Sequence, residues 1–397
     1  MGELPQHWKV ATLGEISKFS QYGINSPSGG GSRYPMLRMN NIQAGHLDTT
    51  DLVYVELNED EFKHFRLEPN DILINRTNSI DLVGKSSIFQ LEGDYVFASY
   101  LVRFRLVDDV YPLFVHYYLN SEIGQQILKT MATKGVSQAN INPTNLKKRF
   151  TVPLPPLPEQ RKIAAILSTW DEAITLTGRL VDALKRRKQA LMQLLLTGEV
   201  RFAEFDGEWE EVALGQLFRE RVETGFQNLP LVAITSNDGI VYRDSLDRRD
   251  TSTEDKSKYL HILPGDIGYN TMRMWQGVSG ISSIEGIVSP AYTICVPQER
   301  VNANFMSYLF KLRSMIHIFW RYSQGLVDDT LSLKFNNFAK IEVSIPSTLE
   351  QSKIAEVMFH CDREMENLAG LVKQFESQKR GLMHQLLTGA VRVQVEE

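Results

Sequence analysis

A chain of 397 residues has room for two or three domains, and 43% hydrophobic content describes soluble, globular folding. A net charge of −5 excludes a protein that coats nucleic acid through bulk positive charge. No apolar run approaches the ~18 residues of a membrane span, the N-terminus reads as no signal peptide, and the two cysteines, Cys295 and Cys361, lack metal spacing; a reducing compartment is expected.

Residues 1–156 begin with Trp8 and Leu13-Gly14, followed by the polar loop Ser26-Pro27-Ser28-Gly29-Gly30-Gly31-Ser32. No Gly-Lys-Ser/Thr follows that loop, so it is read as a plain connection and not as a phosphate cradle. Short β-rich runs come next at 34–39, 52–55, 71–74, 86–89 and 98–106, punctuated by turn residues, which predicts a compact sheet. Leu113 to Met131 reads as one or two helices, Thr133 to Asn145 as a polar loop, and Arg149 to Leu154 as a last extended run before Pro155-Pro156-Leu157-Pro158.

Residues 157–202 read as one long helix that starts after prolines and stops at Gly198, placed where a left-handed C-terminal residue would sit. Its seam alternates steps of four and three: Ile163, Leu167, Trp170, Ile174, Thr177, Val181, Leu184, Lys188, Leu191, Leu195. A narrow seam of this kind calls for a partner helix, and a helix of about 40 residues is about 60 Å long. Lys188 interrupts the seam, as Lys379 does at the same position of the second copy; the ammonium is expected to reach water along its methylene stem, and fixing the helix register is the alternative weighed against it. The exposed run Lys185-Arg186-Arg187 reads as a solvated face.

Residues 203–347 restate the plan of 1–156 with less identity: Trp209 with Leu214-Gly215 follows Trp8 with Leu13-Gly14, and Pro264-Gly265-Asp266-Ile267 follows Pro69-Asn70-Asp71-Ile72. Residues 348–397 then repeat the helix at an offset of 191, Glu350-Gln351-Ser352-Lys353-Ile354-Ala355 upon Glu159-Gln160-Arg161-Lys162-Ile163-Ala164, ending in the same Leu-Leu-Thr-Gly. The second seam is Ile354, Met358, Cys361, Met365, Leu368, Val372, Phe375, Lys379, Leu382, Leu386. The four segments carry net charges of −1, +3, −5 and −2, so no basic domain stands out. The fold class is α+β: two globular mixed α/β domains alternating with two long helices that pair with each other, a tandem duplication.

Motifs for chemistry are missing. There is no Gly-x-Gly-x-x-Gly after a strand, and Ser289-Pro290-Ala291-Tyr292 has Ala where a base-gripping loop would place a second Pro. The order of Glu61, Lys63 and Asp71 does not suit a metal-dependent nuclease, and Asp71 and Asp266 read as turn residues. The eight histidines show no zinc spacing. Clusters of Arg, Asn, Gln and Lys remain, side chains that contact base edges and phosphates. In the first domain these are Arg38, Asn40, Asn41, Arg76, Asn78, Lys85, Lys134, Gln138 and Asn140; in the second, Arg243, Arg248, Arg249, Arg273, Trp275, Gln276 and Gln324.

Leu154-Pro155-Pro156-Leu157-Pro158-Glu159-Gln160 before a long helix, the two Leu-Leu-Thr-Gly exits, Asn270-Thr271-Met272-Arg273-Met274-Trp275-Gln276-Gly277 and Ser289-Pro290-Ala291-Tyr292 together resemble the specificity subunit of a bacterial type I restriction-modification system. The resemblance spans nearly the whole chain. It implies that 1–156 and 203–347 are target-recognition domains, each reading one half of a split site in double-stranded DNA, and that 157–202 and 348–397 are spacer helices that pair as an antiparallel coiled coil in a pseudo-twofold tandem duplication. It further implies a subunit with no catalytic centre or cofactor of its own. S-adenosylmethionine, ATP and Mg are then expected on its partners, two DNA adenine methyltransferase subunits and restriction/translocase subunits, in a bacterial or archaeal cytoplasm. Two other classes are weighed against it: a coiled-coil adaptor that binds no DNA, and a stand-alone methyltransferase or nuclease.

Overall fold

In this computed structural model the described residues are 4–25, 33–135, 138–236, 238–247, 253, 255–327 and 330–395. The polar loop 26–32 lies outside them. The chain divides into unit 1, residues 1–178 with 370–397, and unit 2, residues 179–369.

In unit 1, strand Lys9–Thr12 pairs antiparallel with Thr151–Leu154, so the two ends of the head meet at the start of the central helix. A four-stranded antiparallel sheet runs in the order Ser17–Tyr22, Leu101–Leu106, Ile72–Asn75, Ser86–Ile88. Ala98 to Tyr100, expected as strand, turn instead, because the Leu101 N–H closes back on the Ala98 carbonyl. Two helices follow, Pro112–Asn120 and Glu122–Thr130. Ser121 separates them, its hydroxyl accepting from the Gly124 N–H as an N-cap. The corner is tight: a Cβ on Gly124 would lie 2.1 Å from the Tyr118 carbonyl oxygen.

The run 133–145, expected as a loop, holds regular structure. Ala132–Lys134 and Ala139–Ile141 form a hairpin that pairs onward to Thr77–Asn78, and Pro143–Arg149 is a helix. The polar composition misleads because the hairpin is a surface ribbon whose outward positions are solvated. Asn142 in turn supplies an N-cap before a proline in the first helical turn. The unit 1 core gathers Phe104, Phe114, Leu128 and Phe150 around Ile163 and Leu167 of the central helix and Leu386 and Leu387 of the distal one.

Unit 2 is built likewise. Glu210–Ala213 pairs with Glu342–Ile345, and a four-stranded sheet runs Phe218–Glu220, Tyr292–Pro297, Ile267–Asn270, Ser279–Ile281. Its core places Phe305, Phe310, Phe319 and Phe338 against Met192, Leu195 and Leu196 of the central helix and Ile354 and Met358 of the distal one.

The two long helices are Leu157–Leu195 and Thr348–Leu387. Every named seam position of both is buried or half-buried. The repeated Glu-Gln at each helix start has a concrete task. Gln160 donates to the Pro155 carbonyl and accepts from the Tyr111 N–H, and Gln351 does the same with Pro346 and Asn302, which fastens each head to its helix. The preceding glutamates are buried: Glu159 takes two hydrogen bonds from Arg392 and Glu350 takes two from Arg201. Both exit glycines have positive φ, +74° at Gly198 and +75° at Gly389, and both lie under a tryptophan, Trp209 and Trp8 respectively.

The seam lysines correct the sequence reading, since neither ammonium reaches out to water. In unit 1, Lys379 donates to Asp171 of the central helix, which also accepts from the Tyr117 hydroxyl of the head at 2.7 Å. In unit 2, Lys188 donates to Asp362 at 2.5 Å, and Asp362 accepts from Tyr308 at 2.8 Å. The pairing within each unit is antiparallel, with Glu159 against Arg392 and Asp171 against Lys379 in one, and Lys188 against Asp362 and Arg201 against Glu350 in the other. Burial and the aspartate bond hold the Tyr117 and Tyr308 hydroxyls above their usual range, so they stay protonated as donors.

Asp171 and Lys379 side chains are 19% and 17% exposed, and removing one partner strands the other. Asp171→Ala is therefore expected to weaken unit 1 by about 3 kcal/mol. Asp171→Leu combined with Lys379→Met recovers most of the loss. Hydrogen exchange by mass spectrometry checks this: protection falls in 5–178 and 370–393 and holds in 179–369.

Candidate nucleic-acid interface

Each four-stranded sheet is anchored by a buried aspartate at the start of an inner strand. Asp71 accepts from the Glu68 N–H and pairs with Arg105 at 2.8 Å and Arg103 at 3.4 Å. Asp266 accepts from the Leu263 N–H and pairs with Arg221 at 2.8 Å. The turn reading of these aspartates is thus half of their role, and the buried ion pair is the other half. Residues before them carry positive φ, Asn70 at +73° and Gly265 at +91°.

On this support the first head presents the strand-end segment 75–78. Arg76 donates to the Ser99 carbonyl and to Asn140, and its guanidinium lies 5.1 Å from the centre of the Tyr22 ring. The hairpin therefore brings Asn140 to Arg76 across 64 residues of sequence. Asn78 is half-buried and accepts from the Ser79 N–H. Lys85 reaches Gln43 at 3.5 Å, and Gln43 donates to the Asn40 carbonyl. Arg38 and Asn40 both donate to the Asp51 carboxylate. Lys134 and Gln138 are exposed on the hairpin.

Asn41 is a correction. It is 1% exposed, donates to the Asp48 and Asp51 carbonyls and accepts from the Arg38 N–H, so its amide is consumed in holding the turn. Tyr22, the exposed aromatic under Arg76, was missed, since a tyrosine in a short strand carries no sequence signal of its neighbour across the sheet.

In the second head Arg248 and Arg249 lie outside the described residues. Arg243 lines a cleft of about 670 Å³ together with Lys258, Tyr259, Ser289, Pro290 and Tyr292. The segment 270–277 folds into a turn and the short 3-10 helix Met274–Gln276. Trp275 donates to the Met272 carbonyl, Arg273 and Trp275 are half-buried, and Gln276 is exposed. Helix Arg313–Tyr322 packs against this turn. Gln324, exposed just beyond that helix, pairs through its backbone with Ser332.

Lys311 was not foreseen and holds the segment from behind. Its ammonium donates to the Gly277 and Ser279 carbonyls at 2.7 and 2.8 Å. Asn120 takes the matching place in the first head and donates to the Ser86 hydroxyl at 3.0 Å. Among the described residues no group of three or more His, Cys, Asp or Glu could hold a metal ion, and no helix is long and apolar enough to cross a membrane. His116 is buried beside His46 and Lys379, and burial pushes it down to about 3, so it stays a neutral core residue.

Each head thus packs a polar face of its own on one part of a duplicated pair of helices. Residues 5–186 match the family described as the type I restriction modification DNA specificity domain. A putative type I restriction enzyme MjaX specificity subunit of Methanocaldococcus jannaschii is 26% identical over 99% of this chain and 96% of its own. The EcoKI specificity subunit of Escherichia coli K12 is 26% identical over 48% of this chain and 42% of its own. Among solved structures, the type I system S subunit from M. genitalium aligns with a TM-score of 0.57 at 16% identity, over 97% of both chains. A chain solved in work on assembly and conformational transition of the type I R-M system aligns at 0.60 and 14%, over 98% of this chain and all of the other. The chain is similar to type I restriction-modification specificity subunits over nearly its whole length, and the family model itself covers residues 5–186.

Burial pushes Lys311 down to about 8, below the ordinary lysine value of about 10.4. The unfolded chain then holds this proton more tightly than the folded one. The charged amine costs stability below pH 8, and stability rises as pH climbs from about 8 towards about 10.4. Lys311→Gln is expected to flatten that rise in thermal melts of the full chain taken between pH 7 and 10.

Proposed function

We propose that this chain reads a bipartite site in double-stranded DNA, one half-site per head, while its helix pair holds the heads at a set separation and seats two adenine methyltransferase subunits and the restriction/translocase subunits. The chain itself contributes recognition. Methyl transfer from S-adenosylmethionine and ATP-driven translocation with Mg belong to the partners, in the cytoplasm of a bacterium or archaeon.

The observation that carries the reading is the contrast between frame and heads. The helix starts, exits and buried lysine-aspartate pairs recur at the same offset of 191, whereas the exposed faces differ. Arg76 with Asn140 and Tyr22 stands on one, and Arg273 with Trp275 and Gln276 on the other. A common frame under two unlike faces suits two unlike half-sites. The modest charge fits a subunit whose partners help enclose the DNA. A coiled-coil adaptor without DNA would leave the Arg, Asn and Gln side chains gathered on both heads without a task.

Methylome sequencing of a host that carries the chain with its partner subunits gives the recognised sequence directly. Arg76→Ala is expected to relax one half-site and Arg273→Ala the other, each by about 1 to 3 kcal/mol if the lost contact is a bidentate one to a base. Both halves relaxing together in either variant would remove the division of labour.

A further inference from the structure

The first head balances several arginines against its own carboxylates. Arg38 pairs with Asp51, Arg66 with Asp94, and Arg103 and Arg105 with Asp71. Arg76 differs. Its hydrogen-bond acceptors among the described residues are neutral, the Ser99 carbonyl at 3.1 Å and Asn140 Oδ1 at 3.4 Å. The Tyr22 ring, 49% exposed, lies against it, with the guanidinium carbon 5.1 Å from the ring centre and so within the ~6 Å of a cation–π contact.

The backbone of Arg76 is held as well. Its N–H donates to the Tyr100 carbonyl at 3.0 Å, and its carbonyl accepts from the Ile141 N–H at 2.8 Å. Tyr22 closes strand Ser17–Tyr22, Tyr100 directly precedes Leu101–Leu106, and Asn140 and Ile141 belong to Ala139–Ile141, so strands supply the support. An arginine fixed at this many points has given up its conformational freedom before any DNA arrives, and it keeps its positive charge.

Two acceptors in DNA match a guanidinium fork, phosphate and guanine. A phosphate contact needs little fixed geometry, and the exposed Lys134 on its flexible stem suits one. A base edge does need it. Guanine alone presents paired acceptors, O6 and N7, in the major groove, whereas adenine and cytosine present an amino donor there and thymine a methyl group. The bonds to Ser99 and Asn140 leave most of the Arg76 N–H donors for such a paired contact.

We propose that Arg76 reads a guanine on its major-groove edge, and that Tyr22 and Asn140 are positioning residues that hold the guanidinium for that contact. The proposal rests on the DNA-reading function above and adds the identity of one base in the first head's half-site.

The test uses the complex assembled from the full chain and its partner subunits, on duplexes carrying the methylome-derived target. Each guanine, on either strand, is replaced in turn by 7-deazaguanine, which pairs as guanine does but lacks the N7 acceptor. One replacement is expected to weaken binding by the wild-type complex at least about fivefold and to leave the Arg76→Ala complex unaffected. Tyr22→Leu and Asn140→Ala each lower the preference for guanine at that base pair by about two- to fivefold. Tyr22→Phe, which retains the ring, keeps it. Preference at the remaining positions of the same half-site holds in all of these variants.

Every guanine responding alike in the wild-type and Arg76→Ala complexes, with target preference retained, would overturn the guanine contact and leave the DNA-reading function standing. Arg76→Ala weakening all duplexes equally, with a salt slope shallower by about one, would overturn it in favour of a phosphate contact. Wild-type preference in Tyr22→Leu and Asn140→Ala would overturn the positioning roles. A wild-type complex with no preference among duplexes would overturn the guanine contact and the function together.

Discussion

Two half-buried carboxylates set the register of the paired helices. Asp171 and Asp362 each sit between a lysine of the other long helix and a tyrosine of a head, so one residue fixes helix to helix and helix to head at once. A seam of aliphatic side chains alone tolerates sliding by a heptad, because every hydrophobic contact is replaced by a similar one. A lysine that finds its only carboxylate in a single register does not, and a slipped pair would leave charges buried without partners. The arginine clasps at Glu159 and Glu350 fix the helix ends in the same manner.

The heads show how much may change above such a frame. By strand register Phe104 matches Cys295, because they face Ile72 and Ile267 directly after the two buried aspartates. Arg103 then corresponds to Ile294, and Gln21, opposite Arg103, corresponds to Arg221, whose N–H bonds the Ile294 carbonyl. The cations that neutralise Asp71, Arg105 and Arg103, stand on the strand paired with Ile72–Asn75, whereas Arg221, which neutralises Asp266, directly follows the next strand over, Phe218–Glu220. The carboxylate and its charge balance are kept while the sequence around them is exchanged, which is why similarity between the heads is faint and their architecture is shared.

This also explains what could be read from the sequence. The long helices, their seams and exits were legible because seam periodicity, a positive-φ glycine and a repeated Glu-Gln are local signals. The pairing of Lys188 and Lys379 was not, since an isolated lysine at a seam position looks the same whether it reaches water or a carboxylate 174 or 208 residues away. In the heads, Arg76 and Arg273 stood out by composition, but the neighbours that shape them, Tyr22, Asn140 and Lys311, arrive through strand pairing and packing. Asn41 illustrates the reverse error, a polar side chain in a promising motif that the fold spends on its own turn.

The two glycine-tryptophan contacts differ in one respect. In unit 2, Gly198 comes before Trp209 in the chain and is joined to it by the short segment 199–208, whereas in unit 1 Gly389 meets Pro5 and Trp8, which come before it. Each unit therefore makes the same glycine–tryptophan contact, once with the glycine earlier in the chain and once with the tryptophan earlier. A polypeptide that began at the second head and carried the first head last, with a linker copied from 199–208 bridging 389 to 8, would keep each helix clasp and each buried aspartate in its place.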